Sequence, residues 1–144
     1  MTTKVAGAIL LLLLAACGGS SGSGSTDKLP EVVSGSAWSG VTVTNGTTSA
    51  DVPPGARRNL IPLLATRLLD RPGPLSEYGL DHPQAALTYK ASSGAAADVD
   101  LGQPNFDRHF VYARRRGRPG VYLVPADTLR PVLALVGIGI KPPE

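Results

Sequence analysis

Apolar and polar residues alternate along several short stretches of the chain, a period-2 pattern that is typical of half-buried β-strands. In the first stretch Val41 and Val43 alternate with threonines, and Asn45-Gly46, a strong hairpin-turn signal, follows directly. Glycine, serine and proline separate the later stretches, which favours antiparallel hairpins over crossover connections. These later strands are predicted at residues 87–91, 98–101, 110–113 and 121–124.

A helical spacing of apolar residues occurs in two further stretches. The second of them has Thr128 as its cap, Pro131 in its first turn and Gly137 as its stop. The first has Asn59 as its cap, and its apolar positions are Leu60, Leu63, Leu64 and Leu68. The whole pattern predicts a single small α+β domain. We expect an antiparallel sheet of hairpins with two helices, in the order β-β-α-β-β-β-β-α.

The amino terminus has the features of a secretory signal. Residues 5–14 are apolar or glycine, too short a run to cross a bilayer, which needs about 20 residues in a helix. Leu14-Ala15-Ala16-Cys17 then resembles the lipobox of bacterial lipoproteins. The resemblance implies that Cys17 receives a diacylglyceryl group, that residues 1–16 are removed, and that the new amino terminus is acylated, for example with palmitate. The alternative is an ordinary secreted protein cut after Ala16, with a free thiol.

The lipoprotein interpretation divides the chain into three parts. Residues 1–16 are the predicted signal peptide, residues 17–35 a flexible Gly/Ser-rich tether, and residues 36–141 the α+β domain. Two or three acyl chains hold a protein stably on a membrane, whereas one chain does so only marginally. We therefore expect a membrane-anchored protein in the periplasm or on the outer cell surface. Because Gly18 stands where an aspartate would signal inner-membrane retention, the outer membrane is favoured if two membranes are present.

Composition narrows the functional classes further. The formal net charge of +3 is far below the excess of a nucleic-acid binder, so we expect no nucleic-acid partner. Cys17 is the single cysteine, which excludes an intramolecular disulfide. The two histidines are far apart and no thiol remains to assist them, so we expect no metal site and no cofactor.

Three acidic or histidine-containing motifs are candidates for chemistry. Asp98 and Asp100 could be a metal-binding pair, but period-2 spacing places both on the solvent face of a strand. Asp107 and His109 are two residues apart with no serine or cysteine nucleophile spaced nearby. His82 lies in a predicted turn, where a polar residue needs no catalytic role. We therefore expect no catalytic residues, and predict that the protein is not an enzyme.

A cluster of arginines remains as the candidate contact site. Guanidinium groups bind phosphates and carboxylates through paired hydrogen bonds, and basic residues near a membrane are attracted to anionic headgroups. The alternative is a solvated loop that protects the sheet from aggregation. The predicted contact residues, which surround a hairpin tip, are Arg108, Arg114, Arg115, Arg116 and Arg118.

The domain itself has a family resemblance. The motifs are Tyr78-Gly79-Leu80-Asp81-x-Pro83, Leu101-Gly102, Tyr112 and Val121-Tyr122-Leu123-Val124. They resemble the family catalogued as domain of unknown function 4340, over residues 38–136. The family often carries this unit in tandem and often accompanies gliding-motility-type ABC transporter components. The resemblance implies no catalytic residues.

Together these features favour a membrane-anchored envelope lipoprotein. We expect a non-enzymatic structural or protein-interaction module, accessory to an envelope or ABC-transporter-type complex. Its partners would be the membrane, through lipidated Cys17, and an envelope protein. The alternative is a binding module for an anionic ligand or a lipid headgroup, which would use the arginine hairpin.

Overall fold

The computed structural model describes residues 28–35 and 37–143. The predicted signal peptide, Cys17 and residues 18–27 lie outside the described residues. The elements of the described part, in chain order, are β1 (Glu31–Val33), β2 (Trp38–Thr44), β3 (Ser49–Asp51), α1 (Pro54–Arg57), β4 (Leu63–Leu64), β5 (Arg67–Leu69), a 3-10 helix (Leu75–Tyr78), β6 (Ala85–Ala91), β7 (Ala96–Pro104), β8 (Phe110–Arg115), β9 (Val121–Pro125) and α2 (Ala126–Ala134).

One antiparallel sheet organises these elements, with strand order β3-β2-β6-β7-β8-β9-β5. The strands β6 to β9 are joined by successive hairpins, so each strand pairs with its neighbour in sequence. β1 and β4 form a separate two-stranded ribbon in which Glu31 pairs with Leu64. The predicted fold class is thus confirmed, and so is the order of its elements, to which the structure adds the short strands β1, β4 and β5.

The antiparallel register fixes which loops share an end of the sheet. Val99 of β7 pairs with Arg115 of β8, so the β6–β7 turn (residues 92–95) and the β8–β9 turn (residues 116–120) lie at one end. We call it the arginine end. Thr44 of β2 pairs with Ala86 of β6, and Phe110 of β8 pairs with Pro125 of β9. The β2–β3 turn, the β7–β8 loop (residues 105–109) and the start of α2 therefore lie at the opposite end, which we call the phenylalanine end.

The main core lies on one face of the sheet. Alternate residues of the central strands are fully buried there, for example Leu87, Val99 and Val111. They pack against α2, whose Leu129 is fully buried, and against the β1–β4 ribbon. Further residues of this core are Val32, Val33, Val43, Leu60, Leu63, Tyr89, Leu101, Val132 and Leu133.

A second, smaller apolar cluster covers the other face beside β8 and β9. The ring of Tyr78 from the 3-10 helix meets that of Tyr112 edge-on, with centroids 4.9 Å apart. Leu80 and Val121 are buried but lie outside the main core. Gly102 of β7 lies beneath this cover, because a side chain there would meet Leu80. The segment between β5 and β6 therefore acts as a lid on the sheet's second face.

The structure corrects the position of the first helix. Residues 60–68, whose leucine spacing predicted a helix, instead contain β4 and the start of β5, and the helix is the single turn at Pro54–Arg57. Leu64 and Leu68 are 37% and 39% exposed, so the four leucines do not form one buried stripe. Strand pairing overrides the local spacing here, since Leu68 pairs with Tyr122 at the edge of the sheet. The second helix begins at Ala126, two residues before the predicted cap, and ends at Ala134; the predicted stop, Gly137 (φ 76°), lies at the end of the turn that follows the helix.

The structure also moves the start of the folded domain. We expected the tether to extend to residue 35, but β1 occupies Glu31–Val33. Val32 and Val33 are fully buried. Two isolated valines between polar residues give no periodic signal, and their burial depends on distant parts of the chain: they pair with β4 and pack into the main core.

Replacing Gly102 with alanine tests the lid on the second face. The added methyl group would collide with the Tyr78 carbonyl oxygen and lie 3.1 Å from two carbons of Leu80. We expect G102A to lower the free energy of unfolding by about 1–3 kcal/mol, the usual cost of overpacking, as measured by urea denaturation. G40A is the matched control, because nothing lies within 4 Å of a methyl group on Gly40. Equal stability of the two variants would contradict this packing.

Candidate functional site

The β8–β9 hairpin presents the predicted arginine cluster. Its tip is a tight turn in which the Arg118 amide donates to the Arg115 carbonyl at 3.1 Å. Gly117 adopts a φ of 85°, a left-handed conformation that glycine reaches without steric cost. The hairpin tip is therefore a defined turn, and its arginines leave it in different directions.

The five arginines do not form one patch, contrary to expectation. Arg108 lies in the β7–β8 loop at the phenylalanine end, with a φ of 64°. Arg114, the next arginine of the cluster, lies six positions further along the chain near the other end of β8, a distance of about 20 Å at about 3.3 Å per residue. Sequence proximity was misleading because a strand carries its two ends to opposite sides of the sheet.

Arg116 forms an internal ion pair. Its Nε and Nη2 donate to Asp100 Oδ1 at 3.0 and 2.7 Å, and its Nη1 lies 3.8 Å from Asp98 Oδ2. Hydrogen bonding to the Asp100 carboxylate raises the pKa of Arg116. Arg116 is thus bound to the acidic residues of β7, and this contact holds the hairpin tip against the sheet.

The position of Asp100 corrects a second expectation. Its period-2 placement on the outer face is right, but the residue is only 5% exposed and not solvated. It lies in a depression of about 210 Å³ that Thr44, Asn45 and Pro83 also line. Asp98 is half-buried and accepts a hydrogen bond from Thr88 Oγ1 at 2.9 Å. Asp98 and Asp100 are therefore engaged in hydrogen bonds with a neighbouring strand and the adjoining hairpin turn.

Arg115 points to the opposite, core-facing side. Its Nη1 lies 3.4 Å from the Val32 carbonyl oxygen, so it links β8 to β1. Burial lowers the pKa of Arg115, and the positive charge of Arg118 adds to this effect. Beneath it Tyr89 donates from its hydroxyl to the Leu60 carbonyl at 2.8 Å, and burial raises the pKa of Tyr89. Arg115 therefore links the sheet to the β1–β4 ribbon.

Arg114 and Arg118 are the cationic groups left for an external anion. Arg118 is exposed at the tip, and Arg114 is half-buried opposite Asp100 in the register. Neither has a side-chain hydrogen bond or ion pair within residues 28–35 and 37–143. The site that could bind a carboxylate or phosphate is therefore smaller than the sequence predicted.

The histidine-containing motifs are turn structures. Asp107 Oδ1 accepts from the His109 amide at 3.0 Å and lies 3.3 Å from His109 Nδ1. The bond from the His109 amide lowers the pKa of the exposed Asp107 carboxyl. Asp81 lies 4.0 Å from Nε2 of His82, whose side chain is 94% exposed.

These residues are not gathered into a cleft. Three surface grooves of the described part of the chain have volumes of about 510, 320 and 210 Å³, and neither histidine lines any of these three. The largest is lined by Asp51, Arg57 and Lys90, and Arg57 Nη1 donates to the Ser39 carbonyl at 2.9 Å. Among the described residues no group of three or more metal-ligating side chains could hold an ion.

These features define an antiparallel α+β domain with one seven-stranded sheet, a separate two-stranded ribbon and an arginine hairpin at one end of the sheet. Residues 58–134 match the family described as Domain of unknown function (DUF4340), and the chain belongs to this family. No curated protein and no solved structure gives a significant match. Within the part of the chain that the structure describes, no helix is long and apolar enough to span a membrane.

The family motifs have a common structural role. Tyr78, Leu80, Gly102 and Tyr112 meet in the cluster that covers the second face of the sheet, and Val121 is buried outside the main core. Gly79 adopts a φ of 71° and approaches Gln103 closely. The motifs therefore specify how the lid closes on the sheet, and they mark packing positions in this fold.

Replacing Arg116 tests the internal ion pair. R116A would leave the Asp100 carboxylate buried without its guanidinium, so we expect the free energy of unfolding to fall by about 1–3 kcal/mol. Arg116 is half exposed, and solvent screening keeps the effect within this range. R118A is the matched control and should stay within about 0.5 kcal/mol of wild type.

A double-mutant cycle identifies the cause. D100N removes the charge that Arg116 neutralises, so R116A should cost less in the D100N background than alone. Equal effects of R116A and R118A in urea denaturation would instead show that Arg116 is an ordinary surface residue.

Proposed function

We propose that this protein is a membrane-anchored lipoprotein of the bacterial envelope, attached through acylated Cys17. Its domain would act as a non-enzymatic structural or protein-interaction module on the periplasmic or outer face. The observation that carries the proposal is the position of the single cysteine, directly after Leu14-Ala15-Ala16 at the end of an apolar run. A run of this length suits a signal peptide and is too short for a transmembrane helix.

The contacts within the domain support a role without catalysis. The polar groups that could have formed a reactive site are used for structure: Asp100 binds Arg116, and Asp107 accepts from the His109 amide. A nucleophile with an adjacent base and an orienting third group would be needed for covalent catalysis. The family resemblance suggests an ABC-transporter-type complex of the envelope as the class of partner.

Mass spectrometry of the mature amino terminus tests the anchor. We expect an amino-terminal peptide that starts at Cys17 and carries a thioether-linked diacylglyceryl group, with a further acyl chain on its amine. C17S removes the thiol with minimal change of shape, and should abolish both the modification and membrane retention. An unmodified Cys17, or a mature protein that keeps residues 1–16, would contradict the proposal.

Binding of an anionic ligand at the arginine end is a second candidate function. Arg118 at the hairpin tip and Arg114 beside it in β8 favour this function, because Arg115 and Arg116 are engaged by the fold. The shared chemistry is a carboxylate or phosphate held by guanidinium groups. An acidic patch on a partner protein and an anionic lipid headgroup would both supply it.

Vesicle sedimentation tests this second function with a charge-matched control. Protein lacking residues 1–17 is mixed with vesicles that contain phosphatidylglycerol, at low and at physiological salt. If lipid is the ligand, R114S/R118S should weaken the salt-sensitive binding several-fold, while R67S/K141S, which removes the same charge elsewhere, should weaken it less. Equal loss in both double variants would indicate only a general effect of net charge.

A further inference from the structure

The β7–β8 loop holds an apolar ring in water. Phe106 is 95% exposed, far more than any other large apolar residue that the structure describes. The loop around it is closed by hydrogen bonds: the Asn105 amide donates to the Phe110 carbonyl at 2.8 Å, and the Arg108 amide donates to the Asn105 carbonyl at 2.9 Å. Asn105 Oδ1 also accepts from the Phe110 amide at 3.1 Å. The fold thus presents this ring outward instead of covering it.

The chain enters the domain at the same end. Leu29 is 52% exposed and lines a groove of about 320 Å³ with Pro125 and Thr128 at the start of α2. Pro125 pairs with Phe110, and the Ala126 amide donates to the His109 carbonyl at 2.8 Å. The start of α2 thus connects the entering chain directly to the phenylalanine loop.

The chain between the anchor and the domain is short. Cys17 and Lys28 are eleven residues apart, so even a fully extended chain keeps their α-carbons within about 40 Å. Lys28 and Arg58 lie beside Leu29, which adds positive charge to the side that would face anionic headgroups. A domain attached to a membrane at Cys17 is therefore tethered through its phenylalanine end, which cannot lie more than about 40 Å from the anchor.

We propose that Phe106 inserts into the interface of the membrane that holds Cys17, as a second contact that orients the domain. This rests on the proposed acylation of Cys17. A single aromatic ring binds a bilayer weakly, but the anchor raises its effective concentration at the surface to the millimolar range, where weak contacts are occupied. Insertion leaves the arginine end pointing away from the membrane.

Tryptophan fluorescence in brominated vesicles tests the proposal on the full, lipid-modified protein. F106W keeps an aromatic ring in the loop, and S92W places the same reporter in the exposed β6–β7 turn at the arginine end. Wild-type protein supplies the signal of Trp38 for subtraction. In vesicles of phosphatidylcholine and phosphatidylglycerol with bromine on the acyl chains, we expect the F106W emission to shift to the blue. We also expect bromine to quench it at least twofold more than the S92W emission.

The outcomes separate this inference from the proposed function. Mass spectrometry of Cys17 in the same preparation reports acylation independently of Phe106. Acylated protein in which F106W is quenched no more than S92W would overturn the insertion of Phe106 and leave the anchor intact; the ring would then serve contact with a protein. Unmodified Cys17 in membrane-isolated protein would overturn both.

Discussion

The strands β8 and β9 carry apolar side chains towards both faces of one sheet, so water has to be excluded from both sides. The main face is covered by α2 and the β1–β4 ribbon, which contribute fully buried valines and leucines. The other face is covered by the segment between β5 and β6. That segment can lie flat only because Gly102 leaves room for the Tyr78 carbonyl and Leu80. The family motifs are concentrated at this contact, so the resemblance reflects the closing of the second face.

The ion pair between Asp100 and Arg116 is a consequence of covering this second face. Where the lid ends, Asp100 remains in a depression, nearly inaccessible to solvent, and needs a cation. Arg116 supplies it from the hairpin tip, which ties the β8–β9 turn to β7. A surface cluster of arginines in the sequence thus becomes a set of separate structural contacts, and only Arg114 and Arg118 stay available for a partner.

Local patterns predicted most of the sheet, because the hairpins β6 to β9 depend on alternation and on turn residues a few positions apart. The failures all involve distant partners. Leucines at 60–68 satisfy a helical spacing, but their strands form because β1 and β9 offer edges to pair with. The burial of Asp100 likewise depends on how distant segments pack on its face of the sheet, which no window of neighbouring residues contains. The candidate anion-binding site contains fewer arginines than predicted for the same reason, because Arg115 contacts β1 and Arg116 contacts β7.

The two ends of the sheet differ in a way that bears on how an anchored domain would meet other molecules. β7 has nine residues, so the ends are about 30 Å apart. A chain of eleven residues can bridge that distance when extended, so attachment at Cys17 alone leaves the domain free to present either end. A second contact near the point where the chain enters would remove this freedom at little cost, because the linked groups are already close. The apolar ring at the phenylalanine end and the guanidinium groups at the arginine end would then contact different kinds of surface. The first suits the apolar interface of a bilayer, and the second suits an acidic protein surface beyond it.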